Sequence, residues 1–351
     1  MGVDDGSARW RGCAAAVLAT LVAASGAWAA WFEPVRPQAQ EIAATVPASA
    51  SPAAAAAAGS APAIQLELRS VVDGLPFDGR IPPNPTVAVG PTQVLIVHNG
   101  ALRVLARDGT VLREQALEGF FAPVFQAGDF LTDPRAMFDA GRFWIVVAVR
   151  RSNPSGSFFF LAVSQGPEAS GGWWLYALDV NPAGTTNFVD LPSLGSDDRA
   201  IYLTGNLFDL ATFDFQGALL RVLRKAPLLD GSPAPFFDFS GLSVSGRLAF
   251  HLLAAQSLSP SAAGYVAHTR FPDTCELALW RVITPESSGD PLLTLRVISV
   301  APPCAAPPNA VQAGTTARIE TGGPRLNAAI WRNGFLWLAA TAGFNWGSGL
   351  V

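Results

Sequence analysis

One unit recurs along this chain, and its clearest copy reads Asp133-Pro134-Arg135-Ala136-Met137-Phe138-Asp139-Ala140-Gly141-Arg142-Phe143-Trp144-Ile145-Val146-Val147-Ala148-Val149. Residues 143–149 form an unbroken apolar run, rich in β-branched and aromatic side chains and too closely bounded for a typical helix. The run predicts a strand covered on both faces. Asp139-Ala140-Gly141 supplies the residue types of a tight reversal. Pro134 sits where a strand begins, the position at which a missing N–H costs least.

Weaker copies occupy 87–97, 193–204, 242–253 and 328–339. Taking Val87, Ala136, Ser193, Leu242 and Ala328 as equivalent, the intervals are 49, 57, 49 and 86 residues. A period near fifty is the length of a large propeller blade of four antiparallel strands. The expected fold is therefore all-β, a β-propeller with four complete four-stranded blades and a partial fifth. The fifth copy supplies only two strands, so the sequence reads as a piece of a larger ring in preference to a closed five-bladed one.

The alternation at 64–69 marks a half-buried strand ahead of the first blade. The first blade is expected at 86–89, 93–98, 101–106 and 110–114. The second adds 158–163 and 173–180, and the third 200–205, 211–215 and 219–223. In the fourth, 248–253 is followed by an inserted stretch, 264–270, before 276–282 and 292–300.

Upstream, Arg9 and Arg11 precede an apolar run at 13–24 and the A-x-A site Ala27-Trp28-Ala29. Residues 1–29 are thus expected to be a signal peptide, with an uncleaved anchor as the rival reading. Residues 30–63, rich in Ala, Pro and Ser, are expected to be a disordered spacer, and 64–351 the propeller domain. The expected location is secreted, periplasmic or in the cell envelope, with no membrane span after cleavage.

Half of the 351 residues are apolar and 14% are charged, enough to bury a large core. A formal charge of −4 with no basic cluster argues against nucleic-acid binding. Lys225 is the only lysine, which sets lysine chemistry aside. Cys13 falls in the leader, leaving Cys275 and Cys304 as a pair. In an oxidising compartment they predict a disulfide closing about 30 residues, worth roughly 3 kcal/mol.

At the level of these repeats the chain resembles bacterial exported β-propeller proteins of unassigned function. The residues that carry the resemblance are the Asp133-Pro134-Arg135…Phe143-Trp144 unit, Leu191-Pro192-Ser193-Leu194-Gly195…Tyr202-Leu203-Thr204-Gly205-Asn206, and Asn327…Trp331-Arg332-Asn333-Gly334-Phe335-Leu336-Trp337. It covers 80–345 and implies a fold but no catalytic residues.

Ahead of the first strand of successive blades come Asn84-Pro85, Asp133-Pro134, Asp190-Leu191-Pro192, Asp238-Phe239 and Arg325-Leu326-Asn327. Innermost strands line a propeller's channel, so Asn84, Asp133, Asp190, Asp238 and Asn327 are expected to converge at one mouth. Asp133, Asp190 and Asp238 would suit calcium, a hard cation with six to eight oxygen ligands. No cofactor is required. The alternative is that each Asx side chain caps its own turn. Arg135 would pair with Asp133 or, with Arg325, meet an anion. His98 and His251 read as core residues inside apolar runs, and His268 as part of the insertion. Phe158, Phe159 and Phe160 are expected to fill both blade interfaces, since adjacent strand residues face opposite ways.

No G-x-S-x-G, H-E-x-x-H, P-loop or G-x-G-x-x-G occurs. The reading favoured is a non-enzymatic module presenting a polar face to a ligand, a glycan or a protein. The alternatives are a glycan-acting hydrolase or lyase using carboxylates such as Asp133 and Asp190, and a structural surface protein.

Overall fold

The computed structural model describes residues 41–44, 71–152, 155–181, 184–286, 289–301 and 304–343. The expected signal segment, all of the expected spacer but 41–44, and the strand expected at 64–69 lie outside them. Within the spacer, β1 (Glu41–Ala44) pairs with a strand of the fourth blade.

The first blade consists of β2 (Thr86–Val89), β3 (Gln93–Val97), β4 (Ala101–Ala106) and β5 (Val111–Ala116), followed by one helical turn, α1 (Leu117–Phe120). The second is β6 (Asp129–Asp139), β7 (Arg142–Ser152), β8 (Ser155–Ser164) and β9 (Trp173–Asp179). The third is β10 (Asn187–Ser196), β11 (Ala200–Asp209), β12 (Phe215–Arg224) and, after the turn α2 (Lys225–Leu229), β13 (Phe236–Phe239). Each of these is an antiparallel sheet in chain order, the meander of a propeller blade.

A small hairpin, β14 (Ser243–Val244) with β15 (Arg247–Leu248), precedes the fourth blade. That blade's inner strand comes in two pieces, β16 (Leu253–Ala254) and β17 (Gln256–Ser257). It continues through β18 (Gly264–Thr269), β19 (Glu276–Ile283) and β20 (Leu292–Ser299), with β1 parallel on its outer edge. A second small hairpin, β21 (Ala310–Val311) with β22 (Arg318–Ile319), leads to the fifth unit, β23 (Leu326–Arg332) and β24 (Phe335–Ala340).

Alternation along β7 explains how the blades hold together. Ile145, Val147 and Val149 pack with Leu95, Val97, Leu102 and Val104 of the first blade. Trp144, Val146 and Ala148 pack with Ile201, Leu203 and Leu219 of the third. All seven residues of 143–149 are fully buried, as their apolar run requires, and each large side chain contributes roughly 1.5–3 kcal/mol. Phe159 and Phe160 likewise go to opposite interfaces. A third core joins Tyr202 and Leu220 to Val266, Trp280 and Leu295 of the fourth blade.

The fourth blade differs from the sequence expectation. Residues 242–248 do make a hairpin, with Ser245 and Gly246 both left-handed, but it is a surface one whose Leu248 is exposed. The segment 248–253 is not a strand. The true inner strand begins at Leu253, and 264–269, read as an insertion, is the regular second strand. It packs close to the third blade, for a Cβ on Gly264 would lie 2.1 Å from the Tyr202 ring. In the third blade, 211–215 is mostly the turn into β12.

The inner strands give the ring two unlike ends. At their tails Ser196 pairs with Gln256 and Gln256 with Ile330, all in parallel. The Gln256 side chain donates from Nε2 to the Phe138 carbonyl at 2.8 Å. This approach needs Gly195, where a Cβ would stand 2.6 Å from the Ala255 carbonyl oxygen. Blades two to five are thereby drawn together at that end, and the heads of the strands surround the other, the mouth. Cys275 and Cys304 form the expected disulfide, with Cα atoms 5.5 Å apart. Among the described residues no helix is long and apolar enough to cross a membrane.

Candidate functional site

Four strand heads share one backbone device. Asn84, Asp133, Leu191 and His251 all lie in the left-handed region, with φ of 46°, 55°, 49° and 53°. Three of them precede proline, and β6, β10 and β23 each carry a bulge at this level. A non-glycine residue there costs on the order of 1 kcal/mol, so something must hold it. Asparagines of the preceding blade do so: Asn99 Oδ1 accepts the Asp133 N–H at 2.7 Å, and Asn206 Oδ1 accepts the His251 N–H at 2.8 Å. Bulges of this kind re-aim side chains, and here three of the inner strands carry one.

The side chains at the mouth interact across blades. Asn84 Nδ2 donates to Asp133 Oδ1. Asp133, 4% exposed, lies within hydrogen-bonding reach of Asp190. Burial first, then the negative charge and hydrogen bond of Asp133, raise the Asp190 carboxyl to about 6, while the Leu191 N–H and Arg325 oppose the rise. Burial lowers the pKa of Arg135, and the charge of Asp133 counters it. Arg325 faces the same space, its guanidinium 5.4 Å from the Phe250 ring centre.

His251 completes the cluster. Its Nε2 lies 3.1 Å from the Leu326 carbonyl, which can only accept, so Nε2 carries the hydrogen. Burial lowers its pKa, the Leu326 bond opposes this, and Arg325 and Arg135 lower it further. The ring is thus neutral near pH 7, and its Nδ1 is a buried acceptor with no partner. Asn206 Nδ2, fully buried, is a donor in the same condition. Both atoms can bond a ligand or solvent that reaches the mouth.

Of the residues expected at the mouth, Asn84, Asp133, Arg135, Asp190 and Arg325 act on one another there. Asn327 sits in the bulge of β23 but its side chain is exposed and donates to Thr341 Oγ1 at 2.8 Å. Asp238 is a correction. It lies on β13, the outermost strand of the third blade, paired with buried Arg221 at 2.7 and 2.6 Å. Setting the fourth repeat at Leu242 made an outer strand look like the approach to an inner one.

The three-carboxylate calcium set therefore does not assemble, and among the described residues no group of three or more His, Cys, Asp or Glu could hold a metal ion. Sequence reasoning missed His251, placing it inside a strand. The same misplaced repeat hid it, although its distance past Pro192 is close to one period. His98 is a satisfied core residue, its Nδ1 accepting the Gly100 N–H at 2.9 Å.

No known family and no curated protein matches the chain. Among solved structures it is similar to a GH43_1 enzyme from Xanthomonas citri, at 15% identity over 61% of this chain and 73% of that one, with a TM-score of 0.34. It is also similar to a GH43 endo-arabinanase from Bacillus licheniformis, at 14% identity over 76% and 94%, TM-score 0.34. A GH43 β-xylosidase/α-arabinofuranosidase from a compost metagenome matches at 12% identity over 77% and 93%, TM-score 0.35. No residue role is carried over from these enzymes; what the sheets and their order establish is an all-β propeller.

Proposed function

We propose that the protein is an exported binding module whose channel mouth takes a polar, hydroxyl-rich ligand, a short glycan segment. One observation carries the reading. Side chains from separate blades converge at the mouth as paired carboxyls, two guanidiniums and a neutral imidazole, with an unpartnered acceptor on His251 and an unpartnered donor on Asn206. Sugar hydroxyls both donate and accept, so this mixture suits them better than it suits a simple ion. No cofactor enters the proposal.

Calorimetric titration with a panel of short oligosaccharides tests it. Binding by the wild type that Asp190→Asn weakens about tenfold or more supports the reading. Failure of every oligosaccharide to bind sinks it.

Glycan hydrolysis is the second reading, favoured by the Asp190 carboxyl being held up to about 6, where a general acid works well. Against it, glycosidase carboxyls stand about 5 to 10 Å apart, whereas Asp133 and Asp190 are in hydrogen-bonding reach. Release of reducing ends by the wild type and not by Asp190→Asn would put this reading first.

A further inference from the structure

We propose that a cleft beside the mouth receives the carboxylate of an acidic sugar, so that the ligand is a uronic-acid-bearing glycan; this rests on the reading of the mouth as a glycan site. The cleft has a volume of about 300 Å³ and is lined by Arg247, Phe250, His268, Arg270, Phe271 and Arg325, among others. That is the low end of the range for small-molecule sites. Arg325 belongs to both places, since it also acts on Asp190. A single ligand can therefore touch the two together.

The cations of the cleft are unequally committed. Arg270 Nη1 is engaged by Glu276, and Arg247 pairs with Asp273 at the exposed rim. Among the described residues the one salt bridge of Arg325 is a long one, 3.8 Å to a Glu320 whose side chain is 76% exposed, beside its weaker pull on Asp190 and its contact with Phe250. Arg325 is the freest guanidinium of the three, and a planar fork of N–H donors matches a carboxylate bidentately. His268, on β18 and only 5% exposed, lines the same cleft with an Nδ1 that has no partner. Phe250 and Phe271 give the remaining wall the apolar surface that a sugar ring's C–H face can cover. The Thr269 Oγ1 bond to the Pro324 carbonyl, 2.6 Å, ties β18 to the approach of β23 and fixes the shape.

The probes are trigalacturonate and its neutral, carboxyl-reduced counterpart, titrated against the whole chain by calorimetry at fixed ionic strength. The wild type is expected to bind the acidic probe about tenfold more tightly or better. Arg325→Gln, which removes the guanidinium argued to meet the carboxylate, should reduce that preference several-fold, and Arg325→Lys, which keeps the charge, should restore part of it. Asp190→Asn should weaken both probes alike. Equal affinities in the wild type, or a preference unchanged in Arg325→Gln, would overturn the inference while leaving the mouth as a glycan site. An acid preference that Arg325→Gln removes, with Asp190→Asn affecting neither probe, would overturn the glycan reading and the ligand class built on it. No binding of either probe overturns both.

Discussion

Asp190 and His268 place opposite demands on pH. Asp190 keeps its proton to about pH 6 in the folded protein but loses it near 3.9 when unfolded. Its contribution to stability is therefore present at low pH and falls as pH rises from about 4 to 6. His268 is held neutral by burial, then by Arg270 and His251, with its pKa lowered from 6.5 to about 4. Its contribution is full above pH 6.5 and is lost as pH falls toward 4. In the wild type the two slopes offset. Asp190→Asn removes the first slope, so its melting temperature should rise more steeply from pH 4 to 6.5 than the wild type's, and at pH 7 should exceed the wild type's by a few degrees. Thermal scans across that range check both statements.

Asp238 poses a different problem, because Arg221 is fully buried beneath it and stacks 4.1 Å from the Phe236 ring centre. Asp238→Ala strands that charge, and denaturant titration should show a loss of about 3–5 kcal/mol. A loss below 1 kcal/mol would mean that water reaches the guanidinium.

The hairpin from β6 to β7 turns through Ala140 and Gly141, with φ of 50° and 71°. The fifth unit makes the same turn through Asn333 and Gly334, at 51° and 83°. Asn-Gly is the preferred pair for such a turn and alanine is not. Ala140 is exposed, so Ala140→Asn should stabilise by roughly 0.5–1 kcal/mol, read from the denaturation midpoint. These two hairpins were legible from sequence because turn chemistry and an apolar strand coincide in each. At 242–253 the same local pattern is met by a surface hairpin, and only burial separates the two cases. Local chemistry could not say which hairpin founded a blade. By that local pattern Asp238 falls at the mouth and His251 inside a strand, the reverse of where burial puts them.

Across the whole molecule, the period announced the ring and the Asx-Pro heads announced the mouth. The raised Asp190 carboxyl, the asparagine props and the cleft behind Arg325 depend on contacts between blades that no single repeat encodes. The fifth unit shows Phe335 and Trp337 on its surface, 67% and 63% exposed, while β2 of the first blade shows Val87 and Val89. Among the described residues no strand pairing joins these two units.

Lys225 lies between the second and third blades, its ammonium 2.7 Å from Asp139 and bonded to the Asp197 carbonyl, with 6% of the side chain exposed. Since the sequence holds no other lysine, amine-reactive esters have one internal target, and it is walled in. Acylation of that residue, followed by mass spectrometry, should be slow in the native protein and abrupt once the two blades part. A single covalent mark would thus time the opening of the ring, and rapid modification under native conditions would show that the second and third blades separate far more often than their shared core permits.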